Sequence, residues 1–200
     1  MDNLTYENNL KDKYKFIAGC DEAGRGPLAG PVVIASVIMP LNEEDIIEGV
    51  NDSKKLTEKK RNELYDKIIE KALAYNIVSV SEKVIDEINI LNATKQGMND
   101  AINNLNIKPD YALIDAVKGL NLVCDYLPII KGDSLSYSIA CASILAKVTR
   151  DRLMLDYDNI YPNYEFQKHK GYGTKVHIEA LKKFGKCEIH RETFIKNFVN

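Results

Sequence analysis

Residues 20–31 read CDEAGRGPLAGP. The adjacent acids Asp21 and Glu22 are followed by three glycines (Gly24, Gly26, Gly30), one arginine (Arg25) and two prolines (Pro27, Pro31). The run lies between YKFIAG and VVIASVIM, both rich in Val, Ile or aromatic residues, which predicts two strands joined by a loop of restricted shape. Neighbouring residues of a strand point to opposite faces, so both acids reach one site only if the chain turns between them or just after them. Gly24 and Gly26 permit unusual dihedrals and close approach of a ligand, while Pro27 and Pro31 stiffen the exit. Taken alone, such a pair reads more readily as a solvated acidic turn. The loop does not cradle phosphate in the manner of a P-loop: it lacks the Gly-Lys-Ser/Thr ending, Pro27 removes an amide, and its glycine spacing misses GxGxxG by one residue.

Outward from this loop, the helical spacing of Leu64, Ile68 and Leu73 predicts a helix capped by Thr57, and NIVSVS reads as a third strand. Residues 82–106 read as helix with a start near Asn92 or Thr94, PDYALIDA as a strand running into Asp115, and YLPIIKGD as an apolar stretch reaching Asp133. A long helix is predicted over 134–160, a loop rich in Tyr, Pro and Gly over YPNYEFQKHKGYGT, and a last helix over 174–184. Strands followed by alternating strands and helices indicate an α/β layout, one mixed sheet flanked by helices, with a helical C-terminal segment. Residues 1–13 are expected to form a polar tail and 14–200 one domain, a size that buries a substantial core.

Apolar residues at 45% and charged residues at 28% are ordinary for a soluble globular chain, and no apolar run approaches the roughly 20 residues of a membrane helix. The polar start MDNLTYENNLKDK lacks the pattern of a secretory signal, so cytoplasmic retention and no membrane association are expected. Cys20, Cys124, Cys141 and Cys187 sit far apart without metal-ligand spacing and read as buried free thiols. The net charge of −2 conceals an asymmetry: residues 163–200 carry eight Lys/Arg against four Asp/Glu, beside an acidic body. That pattern fits a phosphate-binding face next to a metal-binding one.

Acids recur where strands stop: Asp21 and Glu22, then Asp115, then Asp133 at the entrance of the long helix. Strands of one sheet lie about 4.8 Å apart, so these carboxylates are able to converge, and together they would repel unless cations lay between them. All-oxygen ligation suits Mg²⁺ or Mn²⁺. Along the long helix Ser136, Ala140, Ser143, Lys147 and Arg150 share one stripe, small near the acids and basic farther on. Such a stripe either admits a polymer backbone, with Lys147 and Arg150 on its phosphates, or packs on the sheet with its bases solvated. Tyr172, between glycines and near Lys168, Lys170 and Lys175, is placed either to stack on a nucleotide or to pack within its loop. His169, His177 and His190 read as surface or satisfied residues.

Together, GCDEAGRGPLAGPVV, DSKKLT, LIDA, KGDS, SIACASILAKVTRDRLM, HKGYGT and FGKCEIHRETF closely resemble the ribonuclease HII family, in that family's order over about residues 14–194. The resemblance implies a ribonuclease H-like fold and endonucleolytic cleavage of RNA in RNA/DNA hybrids and 5′ of single ribonucleotides embedded in duplex DNA. It places the four catalytic, metal-holding acids on Asp21, Glu22, Asp115 and Asp133, with two divalent ions during turnover. It also places contacts to the ribonucleotide 2′-hydroxyl and the junction with DNA on Gly24, Arg25 and Gly26, and the junction-sensing tyrosine on Tyr172. Ser143, Lys147 and Lys170 complete the expected substrate surface. Ala116 departs from the family pattern, in which glycine commonly follows the third acid, and Cys141 stands in place of alanine. A monomer is expected, and RETFIKNFVN contains no convincing clamp-binding peptide. A non-catalytic hybrid-binding protein and a metal-dependent nuclease acting on DNA alone are the competing readings.

Overall fold

A computed structural model describes residues 3–199. Its centre is a five-stranded mixed sheet in the order β3-β2-β1-β4-β5, formed by β1 (Ile17–Ala23), β2 (Val32–Ile38), β3 (Ala74–Val80), β4 (Tyr111–Asp115) and β5 (Asp125–Ile129). The first three strands form an antiparallel meander, and β4 and β5 add to β1 in parallel. In the parallel pair Cys20 lies opposite Ile114, so one step further along the same register Asp21 meets Asp115. This register brings two acids that are distant in sequence to neighbouring carboxyl strand ends.

Helices cover both faces, because the strands are apolar on both. On one side α3 (Glu82–Asn103) packs Met98, Ala101 and Ile102 against Ala18, Cys20, Ile34 and Ile114. On the other, α2 (Glu58–Lys71) and α5 (Tyr137–Ile160) pack Leu64, Ile68, Ala140, Ile144 and Leu145 against Ala35 and Val37. The small residues of α5 allow it to press onto the sheet. A Cβ on Gly19 would lie 2.1 Å from the backbone carbon of Ser138, so only glycine admits this approach. Of the stripe, Ala140 packs in the core against the sheet, as one alternative had it, but the base Arg150 is buried rather than solvated.

Thr57 caps α2 by accepting from the N–H of Lys60, as its position predicted. Two helices are divided where the sequence periodicity reads as continuous. Asn89 has φ 66 inside α3 and its side chain accepts from the N–H of Asn92, so the second segment starts from Asn89 rather than from Asn92 or Thr94. Ser136 likewise separates α4 (Gly132–Leu135) from α5 and caps the latter through the N–H of Ile139.

The segment 1–13, read as a tail, contains α1 (Thr5–Leu10), whose Glu7 is fully buried and accepts from Ser136 Oγ at 2.6 Å and the Ser138 N–H at 2.9 Å. It thus braces the start of α5. All four cysteines are free, Cys20 and Cys141 buried, Cys124 and Cys187 half-buried.

After α5 come α6 (Phe166–His169), α7 (Lys175–Phe184) and α8 (Glu192–Ile195). They enclose a satellite core of Met154, Tyr164, Phe166 and Ile189, into which all three histidines are folded. His169 stacks on His177 with ring centroids 4.5 Å apart, and His177 Nε2 lies 3.0 Å from His190 Nε2. Burial lowers His177 and His190 from an ordinary 6.5 to about 4. The histidines are satisfied, as expected, but none is a surface residue.

Acid stability follows from this cluster. Between pH 6.5 and 4 the unfolded chain binds protons at these imidazoles and the native state does not, so the pair's contribution to stability is lost as pH falls through that window. Other titrating groups are common to wild type and variant and cancel in the difference. Urea denaturation followed between pH 7 and 4 should show a smaller loss of stability on acidification for His177→Phe than for the wild type.

Candidate active site

The ladder between β1 and β2 runs through both acids, Asp21 opposite Ala35 and Glu22 opposite Ile34, and the turn comes just after them. It falls at Gly24, where φ is +96 and a Cβ would sit 2.1 Å from Arg150 Nε. Asp21 is buried and its Oδ1 accepts the N–H of Glu22 at 2.7 Å. Asp115 ends β4 and accepts the N–H of Gly132 at 2.7 Å, which ties it to the turn that presents Asp133. Ala116 follows with φ 51, a left-handed conformation that glycine adopts without strain, which accounts physically for the glycine common in the family there.

Burial first, and then neighbouring carboxylates, push these groups up. Asp21 is held well above the carboxylate range by burial, Glu22 and Asp115. Glu22 is raised by burial and Asp115 against the opposing pull of Arg25, and Asp133 by burial, Asp52 and Asp115 against Lys54. Asp115 is raised by burial, with the Gly132 amide opposing. Two basic side chains answer part of this charge: Lys54 Nζ lies 3.7 Å from Asp133 and Arg25 lies 3.4 Å from Glu22. Both cations are largely exposed, so each pair is weak. The second oxygen of Glu22 is buried with no partner.

An all-carboxylate set with an orphaned buried oxygen and mutual repulsion fits a hard divalent cation. Asp21, Glu22, Asp115 and Asp133 are the residues that would hold it. Among the described residues no group of three or more His, Cys, Asp or Glu side chains is already arranged to hold a metal ion.

Beside the acids opens a cleft of about 290 Å³. Glu22, Gly24, Arg25 and Gly26 line it on the loop side; Ser143, Lys147 and Tyr172 face it from α5 and the following loop. The Tyr172 ring lies against Gly26, 3.8 Å from where a Cβ would stand. Lys147 is paired with Asp151 at 2.7 Å, and Ser143 Oγ is hydrogen-bonded to Ser53 Oγ at 2.8 Å.

Two sequence assignments are not met. Lys170 does not line the cleft; it closes α6 with φ 50, and its ammonium donates to Gln167. Arg150 is not free for phosphate, because its buried guanidinium donates to the carbonyls of Pro31, Ala29 and Lys170 at 2.9–3.1 Å.

Three residues beyond those expected belong to the site. Asp52 adds charge beside Asp133, and Lys54 reaches it, both from a single 3₁₀ turn in which Asp52 accepts the N–H of Lys54. The cluster of an acid and two lysines in DSKK was the available signal. Arg191, fully buried, donates to the carbonyls of Gly24 and Arg25, and nothing in the local sequence distinguishes it from a surface base.

The profile of ribonuclease HII matches residues 18–197. A ribonuclease HII from Caldicellulosiruptor bescii is 58% identical over 97% of this chain and 93% of that protein. The chain belongs to the ribonuclease HII family. It is accordingly a metal-dependent endoribonuclease of the ribonuclease H type. Among solved structures, the ribonuclease H2 of Pyrococcus horikoshii OT3 is similar at a TM-score of 0.75, with 31% identity over 89% of this chain and 93% of that one. The ribonuclease HII of Archaeoglobus fulgidus, solved as a PCNA complex, gives 0.78, with 26% identity over 90% and 94% of the two chains. The mixed sheet flanked by helices is thus the ribonuclease H fold of this family.

Replacing one of four mutually repelling carboxylates should relieve the metal-free protein while removing a ligand. Asp21→Asn is expected to raise the melting temperature without divalent ions by a few degrees, at about 2–4 °C per kcal/mol for this size. Differential scanning calorimetry with and without Mn²⁺ checks this: the ion should stabilise the wild type markedly and the variant little, and activity should be abolished.

Proposed function

We propose that this ribonuclease HII hydrolyses the RNA strand of RNA/DNA hybrids and cuts duplex DNA on the 5′ side of single embedded ribonucleotides, leaving 5′-phosphate and 3′-hydroxyl ends. The observation that carries the reading is the contiguity of the four-acid cluster with a cleft walled by Gly24–Gly26 and Tyr172. Divalent cations, Mg²⁺ or Mn²⁺ and two during turnover, would supply water activation and neutralisation of charge at the scissile phosphate. Asp21, Glu22, Asp115 and Asp133 hold them.

The remaining work belongs to the chain. The Gly24 and Arg25 carbonyls point inward to Arg191, and the N–H groups of Arg25 and Gly26 donate to no protein acceptor among the described residues, at exposed positions. These amides are the donors for a ribose 2′-hydroxyl, the group by which RNA differs from DNA. Tyr172, 44% exposed at the cleft, offers a flat apolar face to the sugar or base at the junction. Lys147 and Arg25, each held only by a carboxylate, turn to the phosphates on either side, and Ser143 lets the backbone come close.

We extend the reading to a monomeric, cytoplasmic enzyme. No helix among the described residues is long and apolar enough to cross a membrane. The PCNA complex of the A. fulgidus relative supports a replication clamp as partner.

With Mg²⁺ and a duplex containing one ribonucleotide, the expected product is a single cut 5′ of it, resolved by gel electrophoresis and end analysis. Comparable cleavage of the all-deoxy duplex would instead identify a DNA nuclease, and hybrid binding without cleavage a binding protein. Loss of one stacking contact of about 1–3 kcal/mol predicts that Tyr172→Ala slows cleavage of the single-ribonucleotide duplex about 5- to 150-fold, and that of a long hybrid much less.

A further inference from the structure

The cleft's two reading elements, the loop at Gly24–Gly26 and Tyr172, come from segments nearly 150 residues apart in sequence. One short stretch, Ile189–Arg191, touches the supports of both. Arg191 Nη2 donates to the Gly24 carbonyl at 2.6 Å, Nη1 to Arg25 at 3.0 Å and Nε to Gly30 at 2.9 Å. The Arg191 N–H donates to Leu28, the Gly30 N–H to Ile189, and Ala29 and His190 form an isolated antiparallel bridge, so the stretch is tied to the loop through its backbone.

His190 reaches Tyr172 through a relay whose direction is set by the backbone. The Cys187 N–H donates to His190 Nδ1 at 2.9 Å, which leaves the ring hydrogen on Nε2. That hydrogen points at His177 Nε2, 3.0 Å away, so His177 carries its own on Nδ1 and donates it to the Tyr172 carbonyl at 2.9 Å. Arg150 joins the same two elements from α5: it donates to Ala29 and Pro31 in the loop and to Lys170 before Tyr172, and its guanidinium lies 5.9 Å from the Tyr172 ring centre.

The two guanidiniums are an unusual expense for a fold. Arg150 and Arg191 are almost fully buried and donate to main-chain carbonyls; burial lowers both, the Arg150 charge lowers Arg191 further, and Glu82 offsets part of this. A cap or a water would satisfy single carbonyls more cheaply than a desolvated cation. What a rigid planar fork adds is direction: it fixes adjacent carbonyls on one side of a loop and so aims the amides between them at the other.

We propose that Arg191 is a specificity-positioning residue which, with His190 and His177, locks the Gly24–Gly26 loop and Tyr172 into one rigid unit, so that the 2′-hydroxyl and the junction are recognised together. The proposal rests on the reading of the cleft as the ribonucleotide site. It assigns to the C-terminal stretch the spacing between two reading elements, distinct from the metal chemistry of the acids.

The test is kinetic and uses the full chain. Wild type must first cut the single-ribonucleotide duplex; failure there removes the functional reading and not this inference. Arg191→Lys keeps the charge and loses the fork. It is expected to raise KM for that duplex on the order of tenfold while leaving the Mn²⁺ binding isotherm, read by calorimetry, unchanged. Combined with Tyr172→Ala, it should cost clearly less than the product of the two single effects, because both act on one recognition step. An unchanged KM with kcat and Mn²⁺ stoichiometry falling in step would show a purely structural role and overturn the proposal, as would multiplicative effects. His177→Phe, which keeps ring and volume but cannot donate to Tyr172, should raise the same KM. No rise there overturns the proposal even where Arg191→Lys does not fold.

Discussion

Parallel pairing of β1 with β4 sets Asp21 beside Asp115, and the rest of the active site answers the repulsion that results. Two unit charges 4 Å apart repel by about 4 kcal/mol at an effective dielectric of 20, a large share of the roughly 5–15 kcal/mol by which a domain is stable. Such a cluster therefore takes up protons or takes up cations. The raised pKa values of all four acids mark the first response, and the approach of Lys54 and Arg25 a weak form of the second. A divalent ion offers a stronger one, which is how a structurally costly arrangement becomes a functional centre.

A second constraint is backbone direction. Chemistry at a phosphate needs cations, whereas telling RNA from DNA needs donors aimed at one hydroxyl. On the proposed reading the two needs fall to different groups on one strand end: side chains of Asp21 and Glu22 before the turn, main-chain amides of Arg25 and Gly26 after it. Gly24 separates them, since its positive φ reverses the chain and no side chain fits against Arg150. Buried arginines then hold the carbonyls inward, so polarity is sorted across the loop, acceptors inside and donors at the cleft.

Much of this was legible in the sequence because it rests on local signals. Strand ends marked by acids, the Thr57 cap and the glycine-proline loop each follow from a few adjacent residues, and the motif set carried the family. Other features depend on partners far along the chain. Ser136 interrupts a sequence of good helical periodicity because Glu7, 129 residues away, holds the new N-terminus. Arg150 occupies the helical position of a phosphate ligand, yet the carbonyls of Ala29 and Pro31, which only the tertiary fold brings there, take its donors. The three histidines show no sequence pattern and meet only when α6, α7 and the Cys187–Arg191 stretch close on Phe166.

The basic character of residues 163–200 also changes meaning in three dimensions. Arg191 is buried on carbonyls, Lys168 pairs with Glu165, Lys175 with Glu179 and Lys186 with Glu192. Exposed pairs of this kind bring little stability and leave little net field at a distance. The positive field offered to a nucleic-acid backbone by this segment is thus smaller than its composition implies, with Lys170, Lys182, Lys183 and Lys196 contributing the part that no acid answers among the described residues. The cleft itself supplies the rest through Lys54, Arg25 and Lys147, each close to a carboxylate that it would leave for a phosphate. On the proposed reading, substrate binding would be an exchange of counter-ions, in which phosphates draw Arg25 from Glu22 and Lys54 from Asp133, freeing those two acids for the metal, and draw Lys147 from Asp151.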